Sequence, residues 1–188
     1  MKPDSKIRIK ELVDRLGRVS AANEWDNDLN PTQSAALSYL ARANRLSRSP
    51  SQVSEFLTAT RGTVSQTLKA LARKGLISET RSEEDRRSIT YSITEKGMEH
   101  FRKIGVIEHA AAQLEHTESE ALILGLEALV HNALGQRGYR AFGVCKTCIH
   151  HHKRTDGGYC KLLGEPLASA EAEQICFEHA QTGNSEKP

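Results

Sequence analysis

The stretch Ser49–Gly75, SPSQVSEFLTATRGTVSQTLKALARKG, decides the fold. It reads as two helices joined by a brief turn. Ser49-Pro50-Ser51-Gln52 is a helix start: Ser can cap, Pro suits the first turn, and Gln at the third position reaches back. The short helix that follows carries Val53, Phe56 and Leu57. The next opens near Thr60 and stops at Gly75, a residue free to turn left-handed. On a wheel of about 100° per residue, Val64, Leu68 and Leu71 share one stripe. Gln66, Lys69 and Arg73 fall opposite, and that outward face holds no acid. Such a face suits a major groove, with amides and donors toward base edges and cations toward phosphates. Gly62, Thr63 and Ser65 are short, so the helix N-terminus, with its free N–H groups and positive dipole end, can approach a phosphate. Arg61 in that first turn can reach a base or a phosphate.

Working outward, the period then changes. Ile89, Tyr91 and Ile93 alternate with Ser88, Thr90, Ser92 and Thr94, which predicts a half-buried strand. Leu76–Arg81 is its expected antiparallel partner, with Ser82–Arg87 as the tip. Arg81, Arg86 and Arg87 are the cations this hairpin offers to a minor groove, and Asp85 can pair with Arg87. Upstream, Asn30-Pro31-Thr32-Gln33 repeats the helix-start grammar and predicts a helix through Leu37 and Leu40 to about Leu46. Lys6–Ala21 reads as a further helix, with Ile9, Leu12, Val13, Leu16 and Val19 at helical spacing. Downstream, helices are expected over about Glu95–Leu114 and Glu118–Gly135, the second with a Thr117–Glu120 capping box.

The run Leu29–Gly97 resembles the MarR family of winged-helix regulators. The residues that carry the resemblance are Leu29-Asn30-Pro31-Thr32-Gln33, Thr60-Arg61-Gly62-Thr63-Val64-Ser65-Gln66-Thr67-Leu68, Lys74-Gly75-Leu76-Ile77, Asp85-Arg86-Arg87-Ser88 and Thr94-Glu95-Lys96-Gly97. The resemblance implies a homodimer joined by the first helix and the last two long helices. It implies a pseudo-palindromic double-stranded operator, with the recognition helix in the major groove and the wing in the minor groove. It also permits a small-molecule effector between the dimerising and winged-helix parts.

Beyond Ala141 the pattern changes to Cys, His and Gly. The four cysteines of the chain, Cys145, Cys148, Cys160 and Cys176, all lie there in a C-x2-C-x11-C-x15-C arrangement. Ordinary MarR relatives lack this extension. Four clustered cysteines in a reducing cytosol point to metal or redox chemistry rather than a structural disulfide. A [4Fe-4S] cluster accepts single cysteines around one C-x2-C and is read first. Zinc, which favours tetrahedral thiolate sites, is the alternative. His150, His151, His152 and His179 can each replace a cysteine at zinc or donate to a cluster sulfur. Four cysteines complete a closed shell, which favours structure or sensing over catalysis. A centre packed on the dimerisation helices would shift the spacing of the two recognition helices.

Composition agrees. Hydrophobic residues make up 38% and aromatics 5%, which fits a core of small aliphatics on helices. Net charge is only +2, but Arg42–Arg87 holds ten Lys or Arg against five Asp or Glu, a basic footprint. No apolar run approaches the roughly 18–20 residues that span a bilayer, no signal sequence follows Met1, and a cytoplasmic protein is expected. Gly-rich phosphate loops, H-E-x-x-H and nucleophile elbows are absent, so no enzyme is expected. The expected class is mainly α (α+β), a winged helix-turn-helix with flanking dimerisation helices and a small Cys-rich metal module. The expected divisions are 1–28, a dimerisation helix; 29–97, the winged helix; 98–140, further dimerisation helices; 141–182, the metal module; and 183–188, a disordered tail.

Overall fold

The computed structural model describes residues 4–25, 28–81, 88–103, 105–136, 138, 140, 142–155 and 157–180, with backbone alone for 23–25. Helix α1 (Ser5–Trp25) leads to α2 (Pro31–Arg42), α3 (Pro50–Phe56) and α4 (Arg61–Arg73). Strands β1 (Ile77–Arg81) and β2 (Ile89–Ile93) pair antiparallel, Ile77 opposite Ile93 and Arg81 opposite Ile89. Helices α5 (Glu95–Phe101), α6 (Val106–Ala111) and α7 (His116–Gly135) follow. The last part holds β3 (Gly143–Val144), β4 (His151–Arg154), β5 (Gly157–Cys160), β6 (Glu165–Leu167), α8 (Ser169–Ala172) and β7 (Ile175–Cys176). Strands β4, β5 and β6 form one sheet, and β3 pairs with β7.

The Asn30 and Ser49 caps read from sequence are made. Asn30 Oδ1 accepts from Gln33 N at 2.9 Å while Gln33 Oε1 accepts from Asn30 N at 3.3 Å. Ser49 and Gln52 do the same at α3, and Thr60 Oγ1 accepts from Thr63 N at α4. Each cap satisfies a backbone donor that a helix start otherwise leaves open. Gly75 sits at φ +71° and ends α4 as expected. Leu37, Tyr39, Leu40, Val53, Val64, Leu68 and Leu71 are fully buried where α2, α3 and α4 meet, and Leu76, Ile77 and Tyr91 close the core from the wing. Gly97 is fixed by close approach: a Cβ there would lie 2.0 Å from the Leu76 carbonyl oxygen.

Among the boundaries that differ from expectation, three have a visible cause. Helix α2 ends at Arg42, not Leu46, because Ala43 is extended and Asn44 caps a separate 3-10 turn, Arg45–Ser47, by accepting from Leu46 N. The helix expected over 95–114 is two, because Gly105 is extended and starts α6 afresh. Helix α7 begins at His116, with Glu118 Oε2 accepting from Glu115 N, rather than at the Thr117–Glu120 box.

Candidate nucleic-acid interface and cysteine centre

Helix α4 buries Val64, Thr67, Leu68 and Leu71 and turns Arg61, Thr63, Gln66, Lys69 and Arg73 outward, with Ser65 half-buried. The stripe read from sequence is therefore the buried one, and the acid-free face is the exposed one. Arg81, at the end of β1, is exposed, and its Nε donates to Glu79 Oε1 at 2.9 Å. Glu79 Oε2 in turn accepts from Tyr91 Oη at 2.8 Å. The Tyr91 hydrogen bond, then that of Arg81, holds the Glu79 carboxyl below its ordinary range. Arg81 is thus tied to the wing strands. Arg86, Arg87 and Asp85 lie outside the described residues.

The basic footprint is smaller than the count over 42–87 implied. Arg45 Nη2 donates to Glu165 Oε2 at 3.1 Å and to the Pro166 carbonyl at 2.6 Å, and its Nε pairs with Glu171. Arg48 donates twice to the Ala43 carbonyl. Lys74 donates to the Asp28 carbonyl and side chain. These three cations hold the fold together. The candidate groove-facing cations among the described residues are Arg61, Lys69 and Arg73.

All four cysteines are buried with free thiols. Cys145, Cys160 and Cys176 pack in one cluster with Leu167, and the electrostatic influence of Cys148 and Cys160 reaches Cys145. Cys145 comes from the turn after β3, Cys160 from the end of β5 and Cys176 from β7. The neighbouring Cys176 sulfur, and then burial, push the Cys145 thiol up, while Cys145 favours the Cys176 thiolate. The Glu178 backbone N–H, Asn44 and Ser47 also favour that thiolate. Ala180 N donates to Cys148 Sγ at 3.4 Å. Among the described residues no group of three His, Cys, Asp or Glu is already arranged to hold a metal ion. The donor set nonetheless suits one: four sulfurs from three segments, shielded from water, with the Ala180 N–H aimed at one of them.

The histidines separate by environment. His151 Nε2 is buried with no hydrogen-bond partner, and His151 stands opposite Cys160 across β4 and β5. His179 Nε2 lies 2.8 Å from Thr147 Oγ1, and its ring packs so closely on Gly143 that a Cβ there would lie 2.5 Å away.

The sequence suggested a seat on the flanking long helices, but among the described residues the hydrogen bonds of the cysteine segment run to the turn between α2 and α3. Asn44 N donates to the Ile175 carbonyl at 2.9 Å, and Phe177 N donates to Ser47 Oγ at 2.9 Å. Phe142 packs edge-on to Phe56 at 5.0 Å, and Phe177 to Phe142 at 5.5 Å. Phe177 also lines a small cleft with Thr60 and Arg61 at the start of α4. Helix α7 faces the segment across an open cleft of about 790 Å³. Sequence reading missed this seat because its contacts join residues some 130 positions apart. The hint available was Asn44, an amide where the helical pattern calls for an apolar residue.

With this geometry in view, comparison with known proteins places the core. Residues 27–88 match the MarR family. The MarR-type winged helix recurs in solved structures that span more of the chain. The Streptococcus pneumoniae FabT–DNA complex is 26% identical, with a TM-score of 0.55 over 71% of this chain and 99% of that one. The S. aureus MepR–DNA complex is 19% identical, with a TM-score of 0.54 over 69% and 98%. The transcriptional regulator SlyA is 19% identical, with a TM-score of 0.55 over 71% and 96%. These neighbours are matched almost end to end, so the remainder of this chain has no counterpart in them. No curated protein matches the chain. Among the described residues no helix is long and apolar enough to cross a membrane.

Proposed function

We propose that this chain is a homodimeric, MarR-type DNA-binding transcription regulator, a repressor, whose grip on a pseudo-palindromic operator is modulated by a centre on Cys145, Cys148, Cys160 and Cys176. The observation that carries DNA binding is the outward face of α4, where Arg61, Thr63, Gln66, Lys69 and Arg73 are exposed with no acid among them. Phosphate contacts would come from the cations and base-edge contacts from Gln66 and Arg61. FabT and MepR, solved with DNA, support the reading. The dimer is supported by apolar side chains exposed on two helices, Ile7, Leu12 and Leu16 on α1 and Leu122, Leu124 and Val130 on α7. Apolar surface of that extent is usually covered by a partner. Nothing here calls for catalysis, and a cytoplasmic setting suits free thiols.

A [4Fe-4S] cluster is the first reading of the centre. Bound there, it would supply a redox-sensitive charge at the four sulfurs. Cys145, Cys148, Cys160 and Cys176 would hold it, and the backbone N–H of Ala180 would steady the Cys148 sulfur. The second reading is a structural zinc with a separate small-molecule effector, favoured by the cleft of about 790 Å³ between α7 and the cysteine segment. Two experiments test the proposal. Selection of duplexes from a random pool by the reduced protein should yield an inverted repeat bound in a salt-sensitive way. Anaerobic purification with metal analysis and a visible spectrum should give a brown protein with iron and sulfide. Colourless protein holding zinc supports the second reading, and no salt-sensitive duplex binding ends the regulator reading.

A further inference from the structure

Strand β4 is the edge of the β4–β5–β6 sheet remote from β6, and alternation sorts its side chains onto two faces. His151 stands opposite Cys160 on the face that meets the buried cysteine cluster. His152 stands opposite Tyr159, and Tyr159 opposite Pro166, on the other face. Arg154, two positions after His152, shares that outer face, and its guanidinium lies 4.0 Å over the Tyr159 ring. Lys161 N donates to the His150 carbonyl, so the pairing runs one step further and brings Lys161 to the same face. His152, Arg154 and Lys161 are exposed around half-buried Tyr159.

The acids of the cysteine segment are engaged elsewhere. Glu165 and Glu171 pair with Arg45 in the turn before α3, Glu173 with Lys146 and Glu178 with Arg140. Among the described residues no ion pair takes in Lys153, Arg154 or Lys161. Asp156 lies outside the described residues. Like the outward face of α4, the outer face of β4 and β5 thus carries cations and no described acid. Charge on the free edge of β4 would guard against strand pairing between copies. Arg154 and Lys161 stand on the face instead, beside an aromatic ring.

The sheet is fixed to the reading head. Arg45 ties β6 and α8 to the turn before α3, and Phe177 N donates to Ser47 Oγ of that turn. Phe177 also lines a cleft with Thr60 and Arg61 at the start of α4. Strand β4 lies two strand spacings beyond β6, about 10 Å farther out. We propose that the outer face of β4 and β5 is a second DNA-contacting surface, which takes backbone phosphates of the duplex flanking the operator. This rests on the regulator reading above. The Tyr159 ring holds the plane of the Arg154 guanidinium, whose fork of N–H groups matches a phosphate. Lys161 adds a point charge, and His152 adds a ring N–H. None of these groups belongs to the cysteine cluster, so the contact needs no metal.

The test compares two duplexes: the selected inverted repeat alone, and the same repeat extended by about one helical turn at each end. Affinity is measured against KCl for the reduced full-length dimer and for the double variant Arg154→Gln, Lys161→Gln. On the extended duplex, two cations from each of two protomers should carry about 3.6 of the slope of log affinity against log salt. Between about 50 and about 200 mM salt the wild type should then lose roughly 150-fold more affinity than the variant. On the short duplex the two proteins should match. Should the double variant fail to fold, Lys161→Gln alone changes only an exposed side chain and should give a difference of roughly 12-fold. Equal slopes for folded variant and wild type on the extended duplex overturn the inference and leave the α4 interface standing. A loss of slope that is the same on both duplexes also overturns it, because the cations would then not lie on flanking DNA. A wild type with no salt-sensitive grip on either duplex ends the regulator reading as well.

Discussion

Replacing Lys69 with alanine isolates the electrostatic part of duplex binding. Lys69 is exposed on the outward face of α4, and the core that holds the helix is made by Val64, Leu68 and Leu71. The substitution therefore removes a cation and leaves the packing alone. A phosphate contact contributes about 0.9 to the slope of log affinity against log salt, through counterion release. A symmetric dimer presents two copies, so the slope should fall by about 1.8. Between about 50 and about 200 mM salt the wild type should then lose roughly 12-fold more affinity than the variant. Fluorescence anisotropy on the selected duplex at several KCl concentrations measures this, with circular dichroism to verify folding. Gln66→Ala is the matched comparison: it should leave the slope alone and reduce discrimination at one base pair by about 1–3 kcal/mol. An unchanged slope in Lys69→Ala would place the duplex against another face.

Other consequences follow from the packing. Gly97→Ala should destabilise the fold by about 1–3 kcal/mol or more, because its Cβ would lie 2.0 Å from backbone oxygen at Leu76; a urea midpoint equal to wild type would show that α5 moves away freely. Gly143→Ala drives a methyl into the His179 ring, so it should speed loss of metal to a chelator while the urea transition of the winged helix stays put; equal loss rates would contradict that. Tyr91→Phe removes the main hydrogen bond that holds the Glu79 carboxyl below its ordinary value of 4.5. A lowered folded-state value adds stability above the unfolded value, and that stability fades as pH falls through the folded one. The variant should therefore lose less stability than wild type between neutral pH and about pH 3, read by denaturation at both; equal losses would mean that the bond contributes nothing.

What could be read from the chain was what local chemistry dictates. The Asn30 and Ser49 caps, the helix start near Thr60, the stop at Gly75 and the alternation through Ile89, Tyr91 and Ile93 each depend on neighbours within a few positions. They give the winged helix and the exposed face of α4 directly. The gathering of the four cysteines was expected from their confinement to one short stretch, and the structure buries all four and packs Cys145, Cys160 and Cys176 in one cluster. What the sequence hid was tertiary. Arg45 and Arg48 count as basic residues until Glu165, Glu171 and the Ala43 carbonyl claim them. Helix propensity carries α2 past Arg42, but Ile175 captures the Asn44 N–H and the helix stops. The place of the cysteine segment follows from such captures, which no periodicity records.

The account stands on the four-cysteine centre governing the reading head on which it sits. Operator affinity should be measured at one salt concentration for anaerobically purified, centre-loaded dimer and for the same preparation stripped by chelator under reducing conditions. The account predicts affinities that differ by about 5–150-fold, the usual span of coupling between two sites. Equal affinities for the loaded and stripped dimers would contradict it.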